Sequence, residues 1–153
     1  MTYETLRNQA YEANMKIPEN HLALYTWGNV SAFDTDKGVF AIKPSGVPYP
    51  ELTPESMVII DLDGNKVDGS LNPSSDTPTH AVLYKEFAVN KGGDVGGIIH
   101  THSTCAVAWA QAVRSVPLFG PTHADHIQKA VPCTPYPRLA WTMPRRQTPD
   151  RQP

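Results

Sequence analysis

Proline decides first where this chain can fold regularly. Each proline removes a backbone N–H and fixes φ, which excludes it from helix interiors and central strands. Fifteen of the 153 residues are proline, about twice average usage. Five of them fall in the last 21 residues, CTPYPRLAWTMPRRQTPDRQP, with four arginines and a single acid. No helical or alternating period survives there. Residues 133–153 are therefore expected to form a Pro/Arg-rich tail, either disordered or a basic phosphate- or partner-binding arm. Residues 1–132 remain as the folded domain. Charge changes at the same boundary: nine Lys and Arg face fourteen Asp and Glu before Cys133, and four face one from there on.

The rest of the composition narrows the class. Apolar residues make up 40% and charged residues 18%, which suits a single globular core rather than a disordered chain. A formal charge of −2 offers no electrostatic footprint for nucleic acid or an anionic membrane. No run of about 18 apolar residues exists to span a bilayer, and Met1-Thr2-Tyr3-Glu4 does not open a secretory leader. Two cysteines without a pairing pattern, Cys105 and Cys133, fit a reducing cytoplasm and read as structural thiols.

Up to residue 132 the order of elements reads as α/β or α+β. Leu6, Ala10 and Ala13 recur at helical spacing within 2–15. Leu22 to Phe33 and Gly38 to Ile42 read as strands joined by a turn at 34–38, and Met57 to Asp61 as a third before the turn Asp63-Gly64-Asn65. Thr77-Pro78 opens a helix to about Asn90, with Thr77 as its cap. Val95 to His100 reads as a short buried strand and Ser103 to Val113 as a helix. No internal repeat is visible.

Five segments carry chemistry. In His100-Thr101-His102, at the end of the apolar strand, residues two apart share a face. Two imidazoles on one side of a rigid backbone suit a divalent transition metal, though a lone H-x-H equally suits a structural pair. Pro73-Ser74-Ser75-Asp76-Thr77-Pro78 sets hydroxyls and backbone N–H groups before a helix; it is either an anion site or plain capping. Lys43-Pro44-Ser45-Gly46 adds a fixed cation, a hydroxyl and a permissive glycine, and beside the first loop suggests a phosphate cradle. In Thr122-His123-Ala124-Asp125-His126, Asp125 is either a general acid/base or a helix-start carboxylate. In Trp27-Gly28-Asn29-Val30, Gly28 permits close backbone approach and the Asn29 amide both donates and accepts. His21 and His80 read as ordinary surface or helix-start residues.

Taken together, TWGNVSA at 26–32, KPSGV at 43–47, PSSDTPTH at 73–80, HTHS at 100–103 and THAD at 122–125 resemble one family in order and spacing. That family is the L-ribulose-5-phosphate 4-epimerases of the class II (fuculose-phosphate-type) aldolase superfamily, and the resemblance covers about residues 3–134. It implies a central, mostly antiparallel β-sheet flanked by helices and a homotetramer with active sites between subunits. It also implies a divalent metal, most often Zn2+, held by His100 and His102 with Asp76 beside it. Gly28, Asn29, Ser45, Gly46, Ser74 and Ser75 would bind the substrate, chiefly its phosphate, with Lys43 alongside, and Asp125 would be the acid/base. The implied reaction is retro-aldol and aldol epimerisation of a phosphorylated pentulose in arabinose-type catabolism, in the cytoplasm.

Two departures qualify the resemblance. A short insertion within 89–96 lengthens one surface loop, which costs little. The family also continues past residue 134 with a third metal histidine, a catalytic tyrosine and further core, where this sequence turns Pro/Arg-rich, as a frameshift or truncation would make it. The chain as written is thus expected to hold metal weakly, to expose apolar surface along Val95–Ile99 and Ala106–Val113, and to turn over no measurable substrate. The alternatives are a class II sugar-phosphate aldolase and a catalytically inactive remnant.

Overall fold

A computed structural model describes residues 3–134; the segment expected as a tail lies almost wholly outside them. Two compact units follow one another, the first ending at Thr104 and the second beginning at Cys105. No helix among the described residues is long and apolar enough to cross a membrane.

The first unit is built on a five-stranded antiparallel sheet. Helix α1 (Glu4–Glu19) precedes β1 (Asn29–Asp34) and β2 (Val39–Ile42), and β3 (Val58–Asp61) and β4 (Lys66–Asp68) follow. Then come α2 (Thr77–Leu83), which runs on as a π-helical turn over Tyr84–Asn90, and β5 (Gly97–His100). The spatial order is β4-β3-β2-β1-β5, the expected antiparallel α/β arrangement.

Alternation along the central strands explains why both faces are covered. Val39, Ala41 and Ile59 point to one side, where they pack with Leu6, Ala10 and Ile17 of α1. Phe40, Ile42, Val58 and Ile60 point to the other, where they meet Ala81, Tyr84 and Ala88. Strands buried on both faces read as continuous apolar runs, and VFAI and VIID are such runs. Asn14, fully buried, clips α1 to β1: its Nδ2 donates to the Val30 carbonyl at 2.8 Å and its Oδ1 accepts from the Val30 N–H at 2.8 Å.

Several expectations are corrected. α1 extends to Glu19 rather than ending at 15, because Ile17 continues the buried stripe. The strand expected from Leu22 begins only at Asn29. Residues 21–28 cannot extend, since His21 and Tyr25 take positive φ (56° and 54°) and so does Gly28 (74°). α2 begins with Thr77 itself, and Asp76 occupies the cap position without a capping side-chain bond. β5 is not a buried strand: it lies at the sheet edge with β1 as its neighbour, and Ile99 is 68% exposed.

The second unit contains α3 (Thr104–Gln111) and α4 (Gly120–His126). Val116 and Val131 form an isolated antiparallel bridge with two N–H···O bonds of 3.0 Å. Neither helix has a buried residue. The two cysteines are free thiols, Cys105 exposed and Cys133 partly so; Cys105 is therefore no part of a core.

Candidate active site

The antiparallel register of β1 and β5 sets Asn29 opposite His100. Both are strand-end residues on the face that carries α2, so the Asp76 carboxylate at the helix start can reach them. Asn29 Nδ2 donates to Asp76 Oδ2 at 2.7 Å and to Ser74 Oγ at 3.2 Å. His100 Nδ1 donates to the same Asp76 oxygen at 2.6 Å. A carboxylate can only accept, which places the proton of a neutral His100 on Nδ1 and leaves Nε2 as its lone pair. The hydrogen bond from His100 holds Asp76 below the usual carboxylate range, and the Asn29 amide adds to it. The same bond raises His100 above the ordinary imidazole value.

His102 lies just beyond the strand, anchored by its N–H on the Leu22 carbonyl at 3.0 Å. Its ring sits 4.7 Å from that of His100 and 5.5 Å from Trp27. Desolvation, the largest cause, lowers its pKa below the ordinary imidazole value. Gly28 precedes Asn29 and cannot be replaced without cost: a Cβ there would stand 3.0 Å from the His100 carbonyl, on a backbone at φ 74°.

The two hydroxyl loops are stitched together by their backbones. Ser45 N–H donates to Asn72 O at 2.9 Å and Ser74 N–H to Lys43 O at 3.0 Å. Ser45, Gly46, Ser74 and Ser75 thus form one wall of a cavity of about 390 Å³ that Gly28, Asn29, Lys43, Asp76, His100 and His102 also line. Asp125 belongs to the second unit, on α4.

Lys43 is not an open cation. It is 2% exposed, and its Nζ donates to the carbonyls of Val47, Thr26 and Pro44 at 2.9, 3.2 and 3.4 Å. An ammonium has three hydrogens, so all are engaged. The Tyr49 ring lies 5.0 Å from Nζ, and burial lowers the lysine pKa. Lys43 clamps the loops at 26–29 and 44–47 through these carbonyls while still lining the cavity.

His80 is corrected more strongly. It is not a surface residue but 1% exposed, with Nδ1 2.7 Å from Ser31 Oγ. Burial pushes its pKa down to about 4. The spacing carries a signal for this: Asp76, His80 and Tyr84 recur every fourth residue on one helix face, and Ser31 lies two residues from Asn29 on one strand face. Trp27, which the TWGNVSA segment contains without giving it a role, lines the cavity beside His102.

Two imidazoles and a carboxylate make a donor set suited to Zn2+ or a similar ion. Among the described residues no three His, Cys, Asp or Glu side chains already converge on one point; Asp76 engages His100 Nδ1, as carboxylates that orient a metal-binding imidazole do. Asn29 Oδ1 is buried and accepts no hydrogen bond from the described residues, so a ligand hydroxyl donating to it would satisfy a buried acceptor.

Comparison with known proteins shows the family and the fold. Residues 8–145 match the Class II Aldolase and Adducin N-terminal domain family. The L-ribulose-5-phosphate 4-epimerases UlaF of Salmonella paratyphi C and Salmonella choleraesuis are each 47% identical over 131 residues, which is 86% of this chain and 55% of theirs. An L-fuculose 1-phosphate aldolase structure aligns with a TM-score of 0.67 and 32% identity, covering 74% of this chain and 51% of that one. The L-fuculose-1-phosphate aldolase of Thermus thermophilus aligns at 0.65 with 23% identity over 86% of this chain and 63% of its own, a likeness of fold. The chain spans about half the length of the curated relatives it matches. By its sequence match and its fold, the chain belongs to the class II aldolase and adducin N-terminal domain family.

Proposed function

We propose that this chain carries the phosphosugar- and metal-binding site of an enzyme that interconverts L-ribulose 5-phosphate and D-xylulose 5-phosphate. The observation that carries the reading is the meeting, in one cavity, of a hydroxyl-lined double loop and the Asn29–Asp76–His100 cluster with His102 beside it. The 47% identity to named epimerases supports the choice of substrate.

His100 and His102 would hold the metal, with Asp76 fixing the tautomer of His100. Bound there, a divalent ion, most suitably Zn2+, supplies a Lewis acid for the ketone and its neighbouring hydroxyl. Ser45, Gly46, Ser74 and Ser75 receive the phosphate through hydroxyls and backbone N–H groups. Such remote binding retains the fragment while a carbon–carbon bond is broken and remade on the other face of the aldehyde. Asn29 Oδ1 accepts a substrate hydroxyl. Asp125, offered across a subunit boundary, exchanges a proton with the aldehyde oxygen, and a homotetramer with sites shared between subunits, working in the cytoplasm, belongs to the same reading.

The test is zinc analysis and an L-ribulose 5-phosphate assay on this polypeptide beside a full-length relative. Formation of D-xylulose 5-phosphate and stoichiometric zinc in the relative, with weaker but saturable zinc binding by this chain, support the reading; no zinc binding by this chain under titration refutes its metal site. The 32% identity to a fuculose-phosphate aldolase favours one alternative, aldol cleavage, which release of an aldehyde from L-fuculose 1-phosphate would reveal.

A further inference from the structure

Beneath the cavity lies a second polar contact between the same two elements that form its floor. Asn29 and Ser31 are two apart on β1 and share a face; Asp76, His80 and Tyr84 are four apart and share a helix stripe. The pair Asn29–Asp76 meets at 2.7 Å at the cavity. One step deeper, Ser31 Oγ lies 2.7 Å from His80 Nδ1 and 2.7 Å from the Tyr84 hydroxyl, which also donates to the Ser31 carbonyl at 3.2 Å. All three deeper residues are at most 1% exposed.

Nothing in α2 itself fixes its register on the sheet. Its α-helical part has seven residues, continued by the π-helical turn, with a proline in its first turn and no capping side-chain bond, so it depends on tertiary contacts. The apolar contacts around it, to Phe40, Ile42 and Ile60, are non-directional and tolerate small slides. A buried hydrogen bond does not, because displacement leaves its partners unsatisfied in a low-dielectric site. Asp76 is one helical turn before His80, and its carboxylate contributes nothing to capping; it is left free to bridge Asn29 and His100.

We infer that His80 is a positioning residue: through Ser31 it locks the register of α2 on β1 and thereby holds the Asp76 carboxylate against His100 Nδ1. The inference rests on the reading of His100 as a metal-binding imidazole, but its geometry is testable without metal. Asparagine carries a polar atom at the position of histidine Nδ1, so His80→Asn retains the bond to Ser31, whereas His80→Leu and Ser31→Ala remove it.

The experiment records long-range nitrogen–proton spectra of the chain labelled with 15N-histidine, at pH about 9 where an ordinary imidazole is neutral, and in parallel titrates cobalt(II). In the wild type, the Nδ1–H tautomer of His100 dominates. In His80→Leu and Ser31→Ala that excess falls by about half or more and cobalt affinity falls about tenfold or more, the scale of losing an orienting partner. His80→Asn returns both to within about twofold of wild type. Should His80→Leu fail to fold, Ser31→Ala decides alone. A folded Ser31→Ala that keeps the wild-type tautomer overturns the inference, as does failure of His80→Asn to differ from His80→Leu. Absence of cobalt binding by the wild type would refute the metal reading separately, and the tautomer comparison would still decide this one.

Discussion

The two units of this chain are held by different means. In the first, β2 and β3 are covered on both faces, and every buried apolar residue among the described ones lies at or before Ala88. In the second, helices α3 and α4 bury nothing, and Leu118, Phe119 and Ile127 stand 47%, 57% and 42% exposed. The cavity belongs to the first unit, where Asn29, Asp76 and His100 are fixed by strand register and by a helix packed over Phe40 and Ile42. Asp125 is carried by the second, on a seven-residue helix. A side chain inherits its precision from the packing of the element that bears it. On the proposed reading, ligand binding and proton transfer therefore fall to elements of very different rigidity.

The sharpest way to break this contrast is at the histidines. His102→Ala, made in a full-length homologous context, leaves His100 as the one imidazole of the pair, too few for a divalent ion, and the dialysed variant should retain no stoichiometric zinc where the unsubstituted protein does. Zinc retained at one equivalent would remove His102 from the site. Asp125→Asn should act oppositely. It spares metal and phosphate affinity while lowering epimerisation about 10²–10⁴-fold, the usual contribution of a positioned acid/base, measured on a full-length relative with the same exchange. A rate held within about threefold would leave Asp125 as a helix carboxylate.

Stability should divide the units in the same way. Phe40 is fully buried, and Phe40→Ala should cost about 3–5 kcal/mol in denaturant unfolding. Phe119→Ala, at an exposed position, should stay within about 0.5 kcal/mol. Equal costs would show that the second unit has a core of its own.

The gentlest probe is pH. His80 has a folded pKa of about 4 against 6.5, so the unfolded chain binds this proton more readily and the folded state favours the neutral ring. Its contribution to stability is complete above pH 6.5, is lost as pH falls from 6.5 toward about 4, and does not change further below that. The total is on the order of 3 kcal/mol. In His80→Asn this part of the pH dependence of unfolding should vanish; an unchanged profile would mean that other groups produce it.

Local chemistry makes much of this protein legible from its residues alone. VFAI and VIID announce doubly covered strands by their unbroken apolar character, and Asp63-Gly64-Asn65 announces the hairpin after β3. His100-Thr101-His102 and the two serine loops stand out because strand alternation and turn composition act over a few residues. The loop at 21–28 does not, because part of what holds it is distant in sequence: the Trp27 and Gly28 carbonyls accept from Tyr49, and the Leu22 carbonyl accepts from His102.

What the sequence by itself determined is therefore the set of short-range decisions: where strands alternate, where the chain must turn, and which residue types can bind an anion or a metal. What only the tertiary structure decided is how distant polar groups share one another. Lys43 has the character of a free cation and is instead a loop clamp, since three carbonyls take up all its hydrogens. Asp76 stands where a cap would and is instead the partner of His100; His80 has the place of a helix-start residue and is a buried link to Ser31. Side-chain hydrogen bonds between residues 24 to 49 positions apart depend on sheet register and helix placement, which no local pattern encodes.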